Sequence, residues 1–347
     1  TTGSKNIAIG HHAMLENTTG DTNIAIGYGA MNGTQAGGSQ SSSAGSTDNI
    51  FIGLDAGGGA WADVASNKNI AIGNLAMDAI LDGALENTAV GYGSLGALEE
   101  GDYNVAIGAS ALAAVSNGSN NVMIGHSAGQ SLLTGGLNVA IGQSAMGSAD
   151  GSEGRNVAVG YNCLGAMNSD ADNYNTAVGY KAGYGITTST NNVAIGYQTM
   201  QEHTTGLRNI AIGSGAMDGT QAGSTQSTSA GSADNIFIGF DAGGGAWADS
   251  ASQYNVGIGN YVMDAVMDGS LDNTSVGYGS MSALTVGDYN TCLGALAGAA
   301  ITNGVKNTVI GRGAAPSAVG GANQTLVGYD CQGIGDNYAV IGDGNTT

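Results

Sequence analysis

Two segments pair an aromatic plate with carboxylates. Asp55-Ala56-Gly57-Gly58-Gly59-Ala60-Trp61-Ala62-Asp63 recurs as Asp241 to Asp249, and each copy carries one of the two tryptophans, Trp61 and Trp247. An indole face flanked by Asp55 and Asp63, or by Asp241 and Asp249, suits stacking on a sugar ring or a calcium-assisted glycan contact. The opposing reading makes each tryptophan a cap at the base of a long loop. Asn17, Asn32, Asn117, Asn273, Asn323 and Asn345 each begin an Asn-x-Ser/Thr sequon, the acceptor pattern for N-glycosylation. A chain rich in Asn and Thr also generates such triplets by chance.

The other reactive residues lack the spacing that chemistry needs. Gly91-Tyr92-Gly93-Ser94-Leu95-Gly96 matches the dinucleotide-binding G-x-G-x-x-G pattern, yet no crossover helix or acidic ribose partner follows it. The matching stretch from Gly277 to Ser282 lacks the third glycine. Of the four histidines only His11 and His12 are adjacent, and in an extended chain their side chains point apart, which argues against zinc. Of the three cysteines, Cys163 and Cys331 fall in a slot that alanine usually holds, so they read as small buried side chains. No Ser/His/Asp arrangement or recurring carboxylate pair marks a hydrolase. The chain is therefore expected to be no enzyme and to use no cofactor, a calcium ion at the Asp/Trp segments being the one exception considered.

All of these residues hang on one repeat. Asn-Ile-Ala-Ile-Gly, first met at Asn6 to Gly10, recurs in near variants along all 347 residues, most often 17 residues apart and with excursions to 20 and 26. Its closing glycine returns at Gly27, Gly108, Gly196, Gly213 and fourteen further positions. A short fixed period predicts an all-β solenoid or β-roll of about 19 repeats. Ile7 and Ile9 alternate with Ala8, as Val105 and Ile107 do with Ala106, and period two with β-branched residues means a strand. The large residues are expected on one face and alanine on the other, with both faces buried and the alanine face close to a second layer or another chain. The closing glycine is expected to turn a corner with positive φ. Four residues later Met or Leu recurs, at Met14, Met31, Met77, Leu95 and Leu112 among others, as the opposite wall of the core rather than as soft-metal ligands. The asparagines before each strand, Asn6, Asn23, Asn104, Asn192 and Asn209 among them, are expected to stack as an amide ladder that satisfies corner backbone groups.

A longer period lies above the short one. Residues 6–125 and 192–311 form super-repeat copies at a constant offset of 186, joined by linking repeats 126–191 and followed by terminal repeats 312–347, all in one solenoid over 1–347. The 26-residue gaps, from Gly33 through Ser46 and from Gly219 through Ser232, read as Gly/Ser/Gln-rich loops.

Composition bounds the partners. Seven Lys plus Arg against 27 Asp plus Glu give a net charge of −20, which repels phosphate backbones and anionic lipid. Nucleic acid is excluded as a partner, and the absence of a run of about 20 apolar residues excludes insertion in a membrane as a helix. A following copy placed after Thr347 would continue the glycine spacing, so head-to-tail stacking in register is expected.

The Asn-Ile-Ala-Ile-Gly and Asn-Val-Ala-Ile-Gly text (Asn23 to Gly27, Asn104 to Gly108) resembles the head repeats of trimeric autotransporter adhesins. The Asn17-Thr18-Thr19-Gly20 type of linker resembles the repeat shafts of phage tail fibres. The resemblance covers the whole chain. It implies a β-roll, commonly trimeric, that projects a receptor-binding surface outside the cell or virion. The function expected is thus an extracellular structural and adhesive fibre at a cell surface or virion tail, presenting loops to a surface or a cell-surface glycan. The alternative is a self-assembling extracellular filament with a mechanical or protective role. In both, the first partner is a further copy of the chain, as a trimer or a head-to-tail filament.

Overall fold

The computed structural model describes residues 3–15, 17, 19–32, 45–59, 61, 64–79, 81–219, 231–247 and 250–343. The stretches 33–44 and 220–230 of the two long gaps, together with Asp63, Asp249 and Asn345, lie outside the described residues.

The fold is a β-solenoid with one three-residue strand per turn and, among the described residues, 19 strands, all parallel. Two compact units divide it, Thr1–Tyr174 and Asn175–Thr347. The first holds β1 (Ile7–Ile9) to β9 (Val157–Val159) and the second β10 (Thr176–Val178) to β19 (Ala339–Ile341). Within each unit consecutive strands pair in strict register: Val105, Ala106 and Ile107 of β6 (Val105–Ile107) face Val122, Met123 and Ile124 of β7 (Val122–Ile124). The register crosses the long gaps unchanged, since Ile24 pairs with Ile50 and Ile210 with Ile236.

The two strand faces differ from the expectation. Alanine points inward: Ala25, Ala71, Ala106, Ala140 and Ala211 are fully buried. The β-branched flanks point out, and Ile72, Ile107, Ile141, Ile195 and Ile258 are each more than a third exposed. So the face with small side chains lines the core, and the face with large ones is open in the single chain. The core itself is thin. It consists of the middle strand residue, an alanine such as Ala111, the Met or Leu after it (Met77, Leu112, Met146) and one further apolar residue such as Leu98, Val115 or Leu132, all buried. Where the middle strand residue is larger, the residue opposite shrinks: Phe51 faces Gly57 and Met123 faces Gly129, where a Cβ would stand 2.6 and 3.0 Å from those side chains.

The corner after each strand is built on unusual backbone. Gly108 has φ +134°, and a Cβ there would stand 2.5 Å from the carbonyl oxygen of Gly125 in the next turn. Both the conformation and the stacking therefore require glycine; Gly10, Gly27, Gly196 and Gly213 repeat that geometry. Three further positions in a typical turn are left-handed without being glycine, as at Tyr103 (φ 57°), Ser110 (φ 56°) and Leu112 (φ 49°). Among the described left-handed non-glycine residues only Thr22 is β-branched. A branched Cβ collides with its own backbone at positive φ, so this wall of the core is made from Met and Leu while the strands use Ile and Val.

Within each unit, asparagines at the corner before the strands, nearly all of them buried, form an amide ladder. The backbone N–H of Asn104 donates to Oδ1 of Asn87 at 2.9 Å and its Nδ2 donates to the same oxygen at 3.0 Å. That Nδ2 also donates to the Gly118 carbonyl at 2.8 Å. The same pattern links Asn6 to Asn23 and Asn49 in the first unit, and Asn175 to Asn192 and Asn209 in the second. Gln324 ends this run. Its backbone N–H still donates to Asn307 Oδ1, but its longer side chain donates to Ser317 and Asp336 instead of to a ladder amide.

Candidate functional site

Neither tryptophan offers a face to a ligand. Trp61 and Trp247 are each 1% exposed, and their indole N–H groups donate to the carbonyls of Gly57 at 2.9 Å and Gly243 at 2.8 Å. Each meets a phenylalanine edge-on, Trp61 with Phe51 at 5.6 Å and Trp247 with Phe237 at 5.7 Å between ring centroids. Such edge-to-face pairs are core contacts. The sugar-stacking plate is therefore corrected to a core plug in the turns that follow the two long gaps. The signal for it was the middle strand residue, where Phe51 and Phe237 replace the usual alanine. Gly257 in the strand after Phe237 makes room for that ring, because a Cβ there would lie 2.6 Å from it.

The carboxylates next to these plugs stack with others that sequence reasoning missed. Asp55 is half-buried, and its Oδ1 occupies the space a Cβ on Gly29 would need. Asp78, one turn on, has its pKa pushed up to about 6 by burial and by the charge of Asp55. In the second unit burial raises Asp241, and Asp264 is pushed up to about 6 by burial and by the charges of Asp241 and Asp218. The super-repeat offset relates Asp78 to Asp264, while Asp218 stands where the first copy has Asn32. Among the described residues no group of three or more His, Cys, Asp or Glu side chains is arranged to hold a metal ion.

The second unit also contains a buried imidazole. His203 occupies the inner slot filled by Leu98, Val115 and Leu132 in other turns and is 1% exposed. Its ring meets Trp247 edge-on at 5.9 Å, and its Nε2 lies 3.1 Å from Nδ2 of Asn209. An amide NH2 can only donate, so Nε2 accepts and the ring proton sits on Nδ1, which has no hydrogen-bond partner among the described residues. Burial pushes the His203 pKa down to about 4.

Exposed aromatics form columns where tryptophan does not. Tyr28, Tyr92, Tyr197, Tyr278 and Tyr329 follow closing glycines and are each more than half exposed. Tyr180 and Tyr197 stack at 5.3 Å between centroids. His11 and His12, expected to point apart, stack at 3.8 Å, because His12 is left-handed (φ 61°) and not extended. These columns flank the open Ile/Val face of the strands.

The sequons divide. Asn273 is fully buried as a rung of the amide ladder, its Nδ2 donating to Asn255 and Gly287, so a glycan cannot be attached there without breaking the corner. Asn32 is 9% exposed, and Asn17 is half-buried with its Oδ1 accepting from the Gly20 N–H. Asn117 and Asn323 are exposed. All three cysteines are buried and form no disulfide among the described residues, and burial pushes Cys163 and Cys292 up to about 12. No protein-family model and no curated protein matches this chain.

Proposed function

We propose that this chain is the shaft of an extracellular structural and adhesive fibre and catalyses no reaction. The observation that carries the reading is the backbone economy of the turn. Inside a unit a strand such as β6 pairs with the turns before and after it, and the ladder asparagines bond to the rungs on either side. Repeat architectures of this kind grow along one axis. The resemblance of the repeat text to adhesin heads and tail-fibre shafts supports the same reading, as does the charge of −20, which disfavours nucleic acid and anionic membranes. The surface available to a glycan is the tyrosine columns, in place of the two tryptophans.

Electron microscopy of the purified chain combined with a glycan and cell-binding array tests this. Extended particles that bind a surface ligand, with binding reduced in Tyr92→Ala/Tyr278→Ala, support the reading. Compact particles that bind nothing would sink it. The alternative, a mechanical or protective filament, gains if the particles are extended and polymerise but bind no surface.

A further inference from the structure

We propose that the second unit holds a slot between the rings of Tyr197 and Phe240, floored by Ser214, that binds one neutral hexose ring of a glycan. The inference rests on the adhesive reading and names the class of its ligand and the place where it docks.

The first observation is a gap in an aromatic column. Tyr197, Ser214 and Phe240 follow the closing glycines Gly196, Gly213 and Gly239 of three consecutive turns. Backbone bonds hold them in register: the Tyr197 carbonyl accepts from the Gly215 N–H at 3.0 Å, and the Ser214 carbonyl accepts from the Asp241 N–H at 2.9 Å. Tyr197 and Phe240 are 53% and 43% exposed, and the turn between them contributes only a serine to the column. Two strand steps of ~4.8 Å place the attachment points of the two rings roughly 10 Å apart along the stack. A six-membered ring centred between them lies roughly 5 Å from either wall, which is the separation of stacked rings. Each wall is also braced from its outer side. Tyr180 lies nearly parallel to Tyr197 at 5.3 Å between centroids, and Tyr261 meets Phe240 edge-on, also at 5.3 Å. Walls already held by neighbours lose little freedom when a ligand enters.

The second observation is independent and comes from the other super-repeat copy. The offset of 186 relates Tyr197, Ser214 and Phe240 to His11, Tyr28 and Leu54. There Tyr28 fills the middle position and stacks on His11 at 5.4 Å. One backbone thus carries a closed column in the first unit and an open slot in the second. The floor of the slot is polar: beside Ser214 stands the half-buried Asp241 carboxylate, whose Oδ1 occupies the space a Cβ on Gly215 would need. A pyranose answers both surfaces, since its C–H faces stack on the rings and its hydroxyls donate to the carboxylate and to the Ser214 hydroxyl. A purely apolar ligand desolvates that carboxylate without giving it a donor. Asp264 feels the charges of Asp241 and Asp218, and the chain as a whole carries −20, so an anionic sugar is repelled.

Titration of the purified full chain with cellobiose, maltose, lactose, mannobiose and sialyllactose, followed by saturation-transfer NMR, tests the slot. At least one neutral disaccharide is expected to bind, and sialyllactose is expected to bind more weakly than lactose. Two substitutions copy first-unit residues onto the same backbone. Ser214→Tyr closes the slot and should abolish binding, while Phe240→Leu removes one wall and should weaken it about tenfold. Glu99→Gln/Glu100→Gln, in the first unit, should leave it unchanged, with thermal unfolding confirming the fold of every variant. A wild-type chain that binds no neutral sugar, tighter binding of sialyllactose than of lactose, or a Ser214→Tyr chain that binds as wild type does would overturn the slot. Extended particles whose glycan binding depends on Tyr92 and Tyr278 but not on Ser214 overturn it while the adhesive reading stands. Slot-dependent binding by compact particles leaves the slot standing and overturns the fibre.

Discussion

The imidazole Nε2 of His203 stands 3.1 Å from the Asn209 amide, so a titratable ring is tied to the asparagine ladder in the second unit. The neighbours on the ring are an indole and an amide, neither of which titrates, and burial alone lowers its pKa to about 4. An unfolded chain takes up this proton near pH 6.5, while the folded one refuses it until about pH 4. Stability of the second unit therefore falls as pH drops through that window, by roughly 3 kcal/mol in total, and no further below it. Chemical denaturation of wild type and His203→Leu at pH 7, 5 and 4 checks this. The leucine variant, which copies the residue found in other turns, should lose that part of the acid sensitivity.

Asp78 and Asp264 act with the opposite sign. Their folded pKa values, near 6, lie above the ordinary 3.8, so the folded chain holds these protons more tightly and their contribution declines as pH rises between the two values. Asp78→Asn and Asp264→Asn should each stabilise at pH 7 by about 1 kcal/mol after solvent screening, and by nothing near pH 4. Equal effects at both pH values would show that the charge is not the cause.

The ladder makes a sharper claim about Asn104. Asn104→Ala removes the acceptor for both Asn121 N–H donors and the donor to the Gly118 carbonyl, leaving buried groups without partners. A loss of about 3 kcal/mol is expected in thermal or denaturant unfolding. Asn104→Asp keeps the acceptor but loses the donor and buries a charge, so its loss at pH 7 should be partly recovered in acid.

Leu112 is left-handed, at φ 49°. Leu112→Met should cost less than about 1.5 kcal/mol. Leu112→Ile, of equal volume, should cost more, because branching at Cβ is hindered at that φ. Unfolding midpoints of the two variants decide it, and equal midpoints would remove the backbone explanation for the Met/Leu wall.

Trp61→Ala and Trp247→Ala should each destabilise by about 3 to 5 kcal/mol, the cost of a large cavity in a packed core. Binding to any glycan should change only as far as folding does. A variant with wild-type stability and lost binding would restore the tryptophans as contact residues.

Much of this architecture was readable from sequence, because strand period, corner glycine and repeat register are each written in residue types that few other conformations tolerate. The direction of the strands' two faces was not. Size usually marks the core side, but here the small Ala106 is the fully buried residue, and the bulky Val105 and Ile107 are turned outward. The Trp61 segment was visible as an exception, yet its role depended on Phe51, ten residues earlier and itself an exception in the strand pattern. His203, Asp78 and Asp264 carry no local signal, since each becomes notable only through neighbours supplied by other turns.

Each asparagine of the ladder gives to the rung behind it and receives from the rung ahead, so no rung contains information about how many others exist. A whole turn can be inserted or lost by recombination while every remaining bond closes as before. The two super-repeat copies, 186 residues apart, close the same bonds, Asn87 to Asn69 in one and Asn273 to Asn255 in the other. Length is thus the property that an added turn changes, and turn geometry the property that every turn must keep.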